Sequence, residues 1–132
     1  MRKAILMMLL AGVSSSAAAK WVAVDDIETE TSIVYADTAA IRKTGNTVKM
    51  WSLYDFNTFQ FSLSLNKPYL SMRNQYEYDC KDKRQRMFTV SFHTGNMAQG
   101  EVIVTTTSTG NWRPVSPGTG TETLWKLACE KS

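Results

Sequence analysis

Few side chains in this sequence could do covalent chemistry, and they are not grouped as catalysis requires. His93 is the only histidine. A Ser-His-Asp or Cys-His arrangement would have to be built on it. It ends the stretch Thr89-Val90-Ser91-Phe92-His93, whose alternation puts Thr89, Ser91 and His93 on the polar side of a strand. A solvated imidazole is expected there. No G-x-S-x-G elbow, phosphate-cradling glycine loop or H-E-x-x-H helix is present in the sequence. The chain therefore reads as a non-enzyme with no catalytic residue and no cofactor. The acidic residues Asp25, Asp26, Glu28 and Glu30 could attract calcium. They lack the D-x-[DN]-x-[DN]-G loop and read as a solvated turn, so no metal site is assigned.

The two cysteines, Cys80 and Cys129, invite another chemistry. Their meaning depends on the compartment, and the first residues bear on that. Arg2 and Lys3 form a positive start, residues 4–13 are apolar and uncharged, and residues 14–19 are small and end in Ala17-Ala18-Ala19. This is the pattern of a secretory signal peptide, residues 1–19, cleaved before Lys20. The apolar run is shorter than the about 20 residues a membrane span needs, and no later segment is longer. Val13 stands where a bacterial lipoprotein carries its acylated cysteine, so neither a transmembrane nor a lipid anchor is expected. In an exported chain, an even cysteine count reads as disulfide bonding rather than as metal-binding thiols. With two cysteines, an intramolecular bridge must be Cys80–Cys129.

Export also changes the charge. The full sequence has 15 basic and 12 acidic residues, and Arg2 and Lys3 leave with the signal, so residues 20–132 carry 13 against 12. A nearly neutral chain lacks the basic footprint of sequence-independent DNA binding, and no nucleic-acid partner is expected. The densest charged run is Asp79-Cys80-Lys81-Asp82-Lys83-Arg84-Gln85-Arg86. Its four cations, Lys81, Lys83, Arg84 and Arg86, are a candidate surface for an anionic partner such as a sulfated glycan. The competing reading is a solvated hairpin whose charges pair internally.

The elements that must hold these residues are mostly short strands. Residues 20–25, 31–37, 47–56, 69–80, 84–94 and 101–107 read as strands, because they are rich in β-branched and aromatic residues. Residues 43–46 and 95–100 are turns, residues 57–68 are less regular, and residues 109–120 form a loop with Pro114 and Pro117. Residues 121–131 are the one credible helix, with Leu124, Leu127 and Ala128 on one face and Thr119 or Thr121 as cap. The fold class is α+β, mostly β: an antiparallel sheet of about six strands with a C-terminal helix disulfide-bonded onto one face. Residues 20–132 form one domain, a size that buries a core without repeats or metals.

A bridge from Cys80 to the helix sets the facing of the neighbouring strands. Tyr76 and Tyr78 should point toward the helix, with Phe88, Val90 and Phe92 of the next strand. Gln75, Glu77 and Asp79 should point away. Residues 47–56 do not fit a one-sided scheme, because Met50, Tyr54 and Phe56 are apolar on one side and Trp51 and Leu53 on the other. Either a curled sheet or a loop covers the second face, or Trp51 and Leu53 belong to a partner surface or homodimer contact.

Taken in order, these residues resemble the surface-adhesin protein E family of Gram-negative bacteria. The resemblance runs through Trp21-Val22, Tyr35-Ala36-Asp37, Ile41-Arg42, Val48-Lys49-Met50-Trp51, Tyr69-Leu70-Ser71 and Glu77-Tyr78-Asp79-Cys80-Lys81. It continues through Arg84, Arg86, Gly100, Trp112-Arg113-Pro114-Val115 and Leu124-Trp125-Lys126-Leu127-Ala128-Cys129. It implies the same sheet and bridged helix. It also implies an adhesin that binds host proteins such as vitronectin, laminin and plasminogen. The expected function is an exported, adhesin-like binding protein of the cell envelope, periplasmic, secreted or at the cell surface, with a host-matrix or envelope protein as partner. The alternative is a periplasmic accessory or small-ligand-binding protein, its pocket between helix and sheet walled by Tyr76, Tyr78, Phe88, Phe92 and Trp125.

Overall fold

Period-two alternation of large apolar residues, broken by glycine turns, dictates strands joined by reversals, and that is what forms. The computed structural model describes residues 19–24, 27 and 29–132. The signal-peptide reading of residues 1–19 (all but Ala19) and the acidic residues Asp25, Asp26 and Glu28 lie outside the described residues. The strands are β1 (Val22–Ala23), β2 (Ser32–Ala36), β3 (Arg42–Thr44), β4 (Thr47–Gln60), β5 (Tyr69–Asp79), β6 (Arg84–His93), β7 (Val102–Thr107) and β8 (Arg113–Pro114). They make one sheet in the order β1-β2-β4-β5-β6-β7, with β3 beside β4 and β8 beside β6, every pairing antiparallel. The six strands on the main path are the six expected. The two further ones are short: β3 begins at the end of residues 38–42, which read as a connection or strand, and runs into the expected turn, and β8 lies in the expected loop; they pair with β4 and β6. β4 runs on to Gln60, four residues past the expected end, where β5 still offers a partner in Tyr69.

The helix α1 (Gly120–Lys131) starts at Thr119, whose Oγ1 accepts from the Glu122 backbone N–H at 3.2 Å. That cap contributes about 1 kcal/mol. Leu124 and Ala128 are buried on its inner face, against Val34, Ala36, Val48, Met50 and Tyr78, with Leu127 and Trp125 packed at the margin. Each large apolar side chain so buried contributes about 1.5–3 kcal/mol. The bridge is formed: Cys80, one residue past β5, joins Cys129 of α1 with their Cα atoms 5.7 Å apart. The Trp125 Nε1–H also donates to the Asp79 carbonyl at 2.8 Å, a second tie between helix and strand end.

Register decides which side chains share a face. On β5 the even-numbered residues, Tyr76 and Tyr78 among them, point toward α1, as expected from the bridge. On β6 the expectation holds only in part. Val90 pairs with Asn74 and Phe92 with Met72, which puts both on the helix side. Between Gln75 and Tyr76 the register then shifts, so that Thr89 opposes Gln75 but Met87 opposes Tyr76. Phe88 is the extra residue of this bulge. A one-residue shift exchanges faces, and Met87 takes the inward place expected for Phe88. The Phe88 ring lies on the opposite face, with Lys49 Nζ 4.0 Å from its centroid.

Ser91 and His93 do face away from the helix, but His93 is not solvated. It is 6% exposed and Ser91 is equally buried. The turn between β6 and β7 folds over this end of the face. The Ser71 hydroxyl donates to the Gly95 carbonyl at 2.6 Å and accepts from the Ala98 N–H at 2.9 Å. Asp55 Oδ1 accepts from the Met97 N–H at 2.8 Å. Met97 and Ala98 both adopt left-handed backbone angles, φ 57° and 59°, to make this turn. It supplies part of the cover that the two-sided β4 requires.

Candidate binding face

The sheet face opposite α1 brings together side chains that are distant in sequence. Along β4 it receives Lys49, Trp51, Leu53 and Asp55; along β5, Ser71, Arg73, Gln75, Glu77 and Asp79; along β6, Arg84, Arg86, Phe88, Ser91 and His93. One register row reads Arg42, Lys49, Glu77 and Arg86 across β3 to β6. Neighbouring strands lie about 4.8 Å apart, so the three cations of this row span about 14 Å.

The charges are layered. Glu77 and Asp79 are buried, at 7% and 4% exposure. Glu77 accepts from Arg86 Nε at 2.6 Å and from the Thr47 hydroxyl at 2.9 Å. Asp79 accepts from the Asp82 and Lys81 backbone N–H groups, each at 3.0 Å, and from Arg84 Nε at 2.9 Å. The Asp82 N–H foremost, with Arg84 and the Lys81 N–H, holds the Asp79 carboxyl below the usual carboxylate range despite its burial. Both arginines use Nε for these bonds. Their terminal nitrogens donate to no described carboxylate at short range, the nearest being Asp82 Oδ2 at 3.9 Å from Arg84 Nη2.

Above the acids, cations lie on aromatic rings. The Arg73 guanidinium is 3.9 Å from the Trp51 ring centroid, Arg86 is 4.3 Å and Arg84 4.6 Å from Trp112, and Lys49 covers Phe88. Each contact is worth about 0.5–1 kcal/mol at an exposed site. Arg73 and Lys49 form no ion pair with a described acidic residue. Burial lowers the Arg73 pKa below its ordinary value, and the charge of Asp37 works against that.

The residues singled out in the sequence divide on this map. Arg84, Arg86 and Trp51 share the face. Lys83 points to the helix side, where its Nζ bonds Glu122 Oε2 at 2.5 Å and lies 5.4 Å from the Trp125 ring. Lys81 is exposed at the hairpin tip. Leu53 is fully buried and cannot be touched by a partner. Only Arg84 pairs within the charged run, with Asp79 and Asp82, as the hairpin reading expects; Lys83 pairs with Glu122 of the helix and Arg86 with Glu77 of β5. Lys49 and Arg73 join the face by the parity that links Lys49 to Trp51 and Arg73 to Glu77. Phe88, expected to face the helix, joins it through the bulge, and Trp112 reaches it from the loop beside β8.

His93 offers little to catalysis. Its Nε2 shares a hydrogen bond with Ser91 Oγ at 2.8 Å, and its buried Nδ1 has no described partner. An orienting carboxylate is therefore lacking at the atom where a triad needs one. Burial pulls its pKa below the ordinary value near 6.5, with the Arg73 charge adding to the effect. The expected ligand pocket is not assembled from its five residues, because Phe88 faces away and Tyr78 is fully enclosed. A cleft of about 460 Å³ does lie at the start of α1, lined by Ile27, Thr29, Val34, Tyr54, Gly120 and Thr121.

This architecture has known counterparts. The structure of Haemophilus influenzae protein E superposes with a TM-score of 0.62, at 11% identity, covering 87% of each chain. Its selenomethionine form gives 0.64 at 12% identity, covering 87% of this chain and 89% of that one. Protein E from non-typeable Haemophilus influenzae gives 0.55 at 12% identity, covering 86% of each. At such identities the likeness is one of fold. A comparison with curated proteins finds no match. The family described as surface-adhesin protein E matches residues 21–130. A match over nearly the whole domain, with the same sheet and helix, makes this chain a member of the surface-adhesin protein E family.

Proposed function

We propose that the chain is an exported, non-enzymatic binding protein of the cell envelope. In this reading residues 1–19 direct export and residues 20–132 act as an adhesin-like domain, periplasmic, secreted or at the cell surface. It engages a host-matrix or envelope protein through the sheet face opposite the helix. The observation that carries the reading is the layering of that face: arginines and a lysine stacked on Trp51, Phe88 and Trp112, above carboxylates withdrawn from water. Tryptophan and arginine are the residue types that dominate binding energy at protein interfaces. Membership of a surface-adhesin family supports the same role.

The test is capture. Wild-type chain and a Trp51→Ala, Trp112→Ala variant are immobilised and exposed to matrix proteins and to envelope extracts. Surface labelling of intact cells reports where the chain resides, and size-exclusion chromatography reports whether the partner is a second copy. Binding that the double variant loses supports the reading. Binding unchanged by the double variant removes this face from it.

A further inference from the structure

We infer that the partner segment recognised by the face opposite the helix is an acidic peptide, whose carboxylates dock onto the outward-facing nitrogens of Lys49, Arg73, Arg84 and Arg86. The inference rests on the proposed binding role and adds the chemistry of the partner.

Charge complementarity is its basis. The acids of this face are already engaged: Glu77 and Asp79 are buried and accept several hydrogen bonds each, and the half-buried Asp55 accepts from the Met97 N–H and the Asn96 side-chain amide. The charges not yet engaged by a hydrogen-bond or short ion-pair partner are cationic. Arg84 and Arg86 bind Asp79 and Glu77 through Nε, which leaves the terminal nitrogens of Arg86, and those of Arg84 apart from a 3.9 Å approach to Asp82, for a further carboxylate. Planar guanidinium groups suit carboxylates in two-point contact. Lys49 and Arg73 form no ion pair with a described acidic residue, although the buried Asp37 acts on Arg73 at longer range, and they lie on the Phe88 and Trp51 rings instead. Their positioning is thus settled before a ligand arrives, which lowers the ordering cost of binding.

Two features favour a peptide over a sulfated polysaccharide. Residues 20–132 carry 13 basic against 12 acidic residues, so the long-range field that gathers a dense polyanion is weak. The cations also alternate with indole and phenyl rings, which give apolar contact to the aliphatic parts of a peptide.

The experiment measures binding of a fluorescent oligoglutamate peptide to the full oxidised chain. Heparin serves as the competing class of ligand. The test variant is Lys49→Gln with Arg73→Gln, neither of which breaks an ion pair. The control is Lys20→Gln with Lys131→Gln, an equal change of net charge away from the face. Saturable binding that falls about tenfold in the test variant and less than twofold in the control is expected. Equal losses in both variants, no binding to the wild type, or heparin binding more tightly than the peptide with the same residue dependence would each overturn the inference. If the peptide neither binds nor competes while protein capture still depends on Trp51 and Trp112, the acidic-peptide chemistry fails and the binding role stands. If capture too is indifferent to the tryptophans, both fail.

Discussion

Arg86 holds Glu77 through a single 2.6 Å bond from Nε, and the two partners are unequally buried: the Glu77 side chain is 10% exposed and that of Arg86 28%. Removing either partner therefore has unequal consequences. Arg86→Ala strands a carboxylate that has little water to turn to, and is expected to cost about 2–4 kcal/mol. Glu77→Gln keeps a hydrogen-bond acceptor and leaves the better solvated cation, and should cost less than about 2 kcal/mol. Urea unfolding of the two variants checks the order. Equal losses would mean that the burial difference does not govern the pair.

The bridge was legible from composition alone, because export and a count of two leave one intramolecular pairing. It closes a separation of 49 residues between strand end and helix. Cys80→Ser with Cys129→Ser should cost about 4 kcal/mol in the chain-entropy account. Helix α1 should loosen first, since what then holds it is the packing of Leu124 and Ala128, the Trp125 bond to the Asp79 carbonyl and the Lys83–Glu122 pair. Hydrogen exchange read residue by residue in α1, with melting of oxidised and reduced chains, is the check. Identical melting temperatures would contradict it.

The strands on the main path and most of their facings followed from composition and period-two alternation, and the facings failed where the period broke. Phe88 looks like an inward residue because counting by twos from Phe92 and Val90 reaches it. A bulge is an irregularity of pairing, set by how two strands meet, and the sequence of β6 alone carries no mark of it. His93 shows a different limit. Its polar neighbours predicted the correct face, but its burial depends on a turn whose left-handed Met97 and Ala98 are not residues that advertise such a conformation. The binding face was half legible for the same reason. The charged run near Cys80 is visible as a block, whereas Lys49 and Arg73 join it only through cross-strand register.

His93 makes stability depend on pH in a definite direction. Burial holds its folded-state pKa below the ordinary value near 6.5. As pH falls through that value, the unfolded chain takes up a proton that the folded chain resists. The folded state loses ground until the folded pKa is passed, by at most about 1.4 kcal/mol per pH unit. Above 6.5 both states are neutral and the residue contributes no slope. His93→Asn should flatten the stability profile between 6.5 and the carboxylate range, as the chain has no other histidine. The same slope in wild type and variant would show that another group sets it.

Leu53 separates what supports the face from what contacts a partner. It lies between Tyr35 and Arg73 in register and is fully buried, while Trp51 on the same side of β4 is half-buried under Arg73. Leu53→Ala leaves a cavity and should cost about 2–5 kcal/mol, the spread depending on how far the neighbours collapse. Trp51→Ala removes a ring that already meets solvent and should cost less in stability. The two variants should therefore exchange rank between assays. Leu53→Ala lowers the unfolding midpoint yet leaves capture per folded molecule unchanged, whereas Trp51→Ala lowers capture at a temperature where both chains are fully folded. Equilibrium unfolding combined with binding at that temperature decides it. A Leu53→Ala chain that stays folded but no longer captures the partner would mean that the buried layer shapes the contact itself.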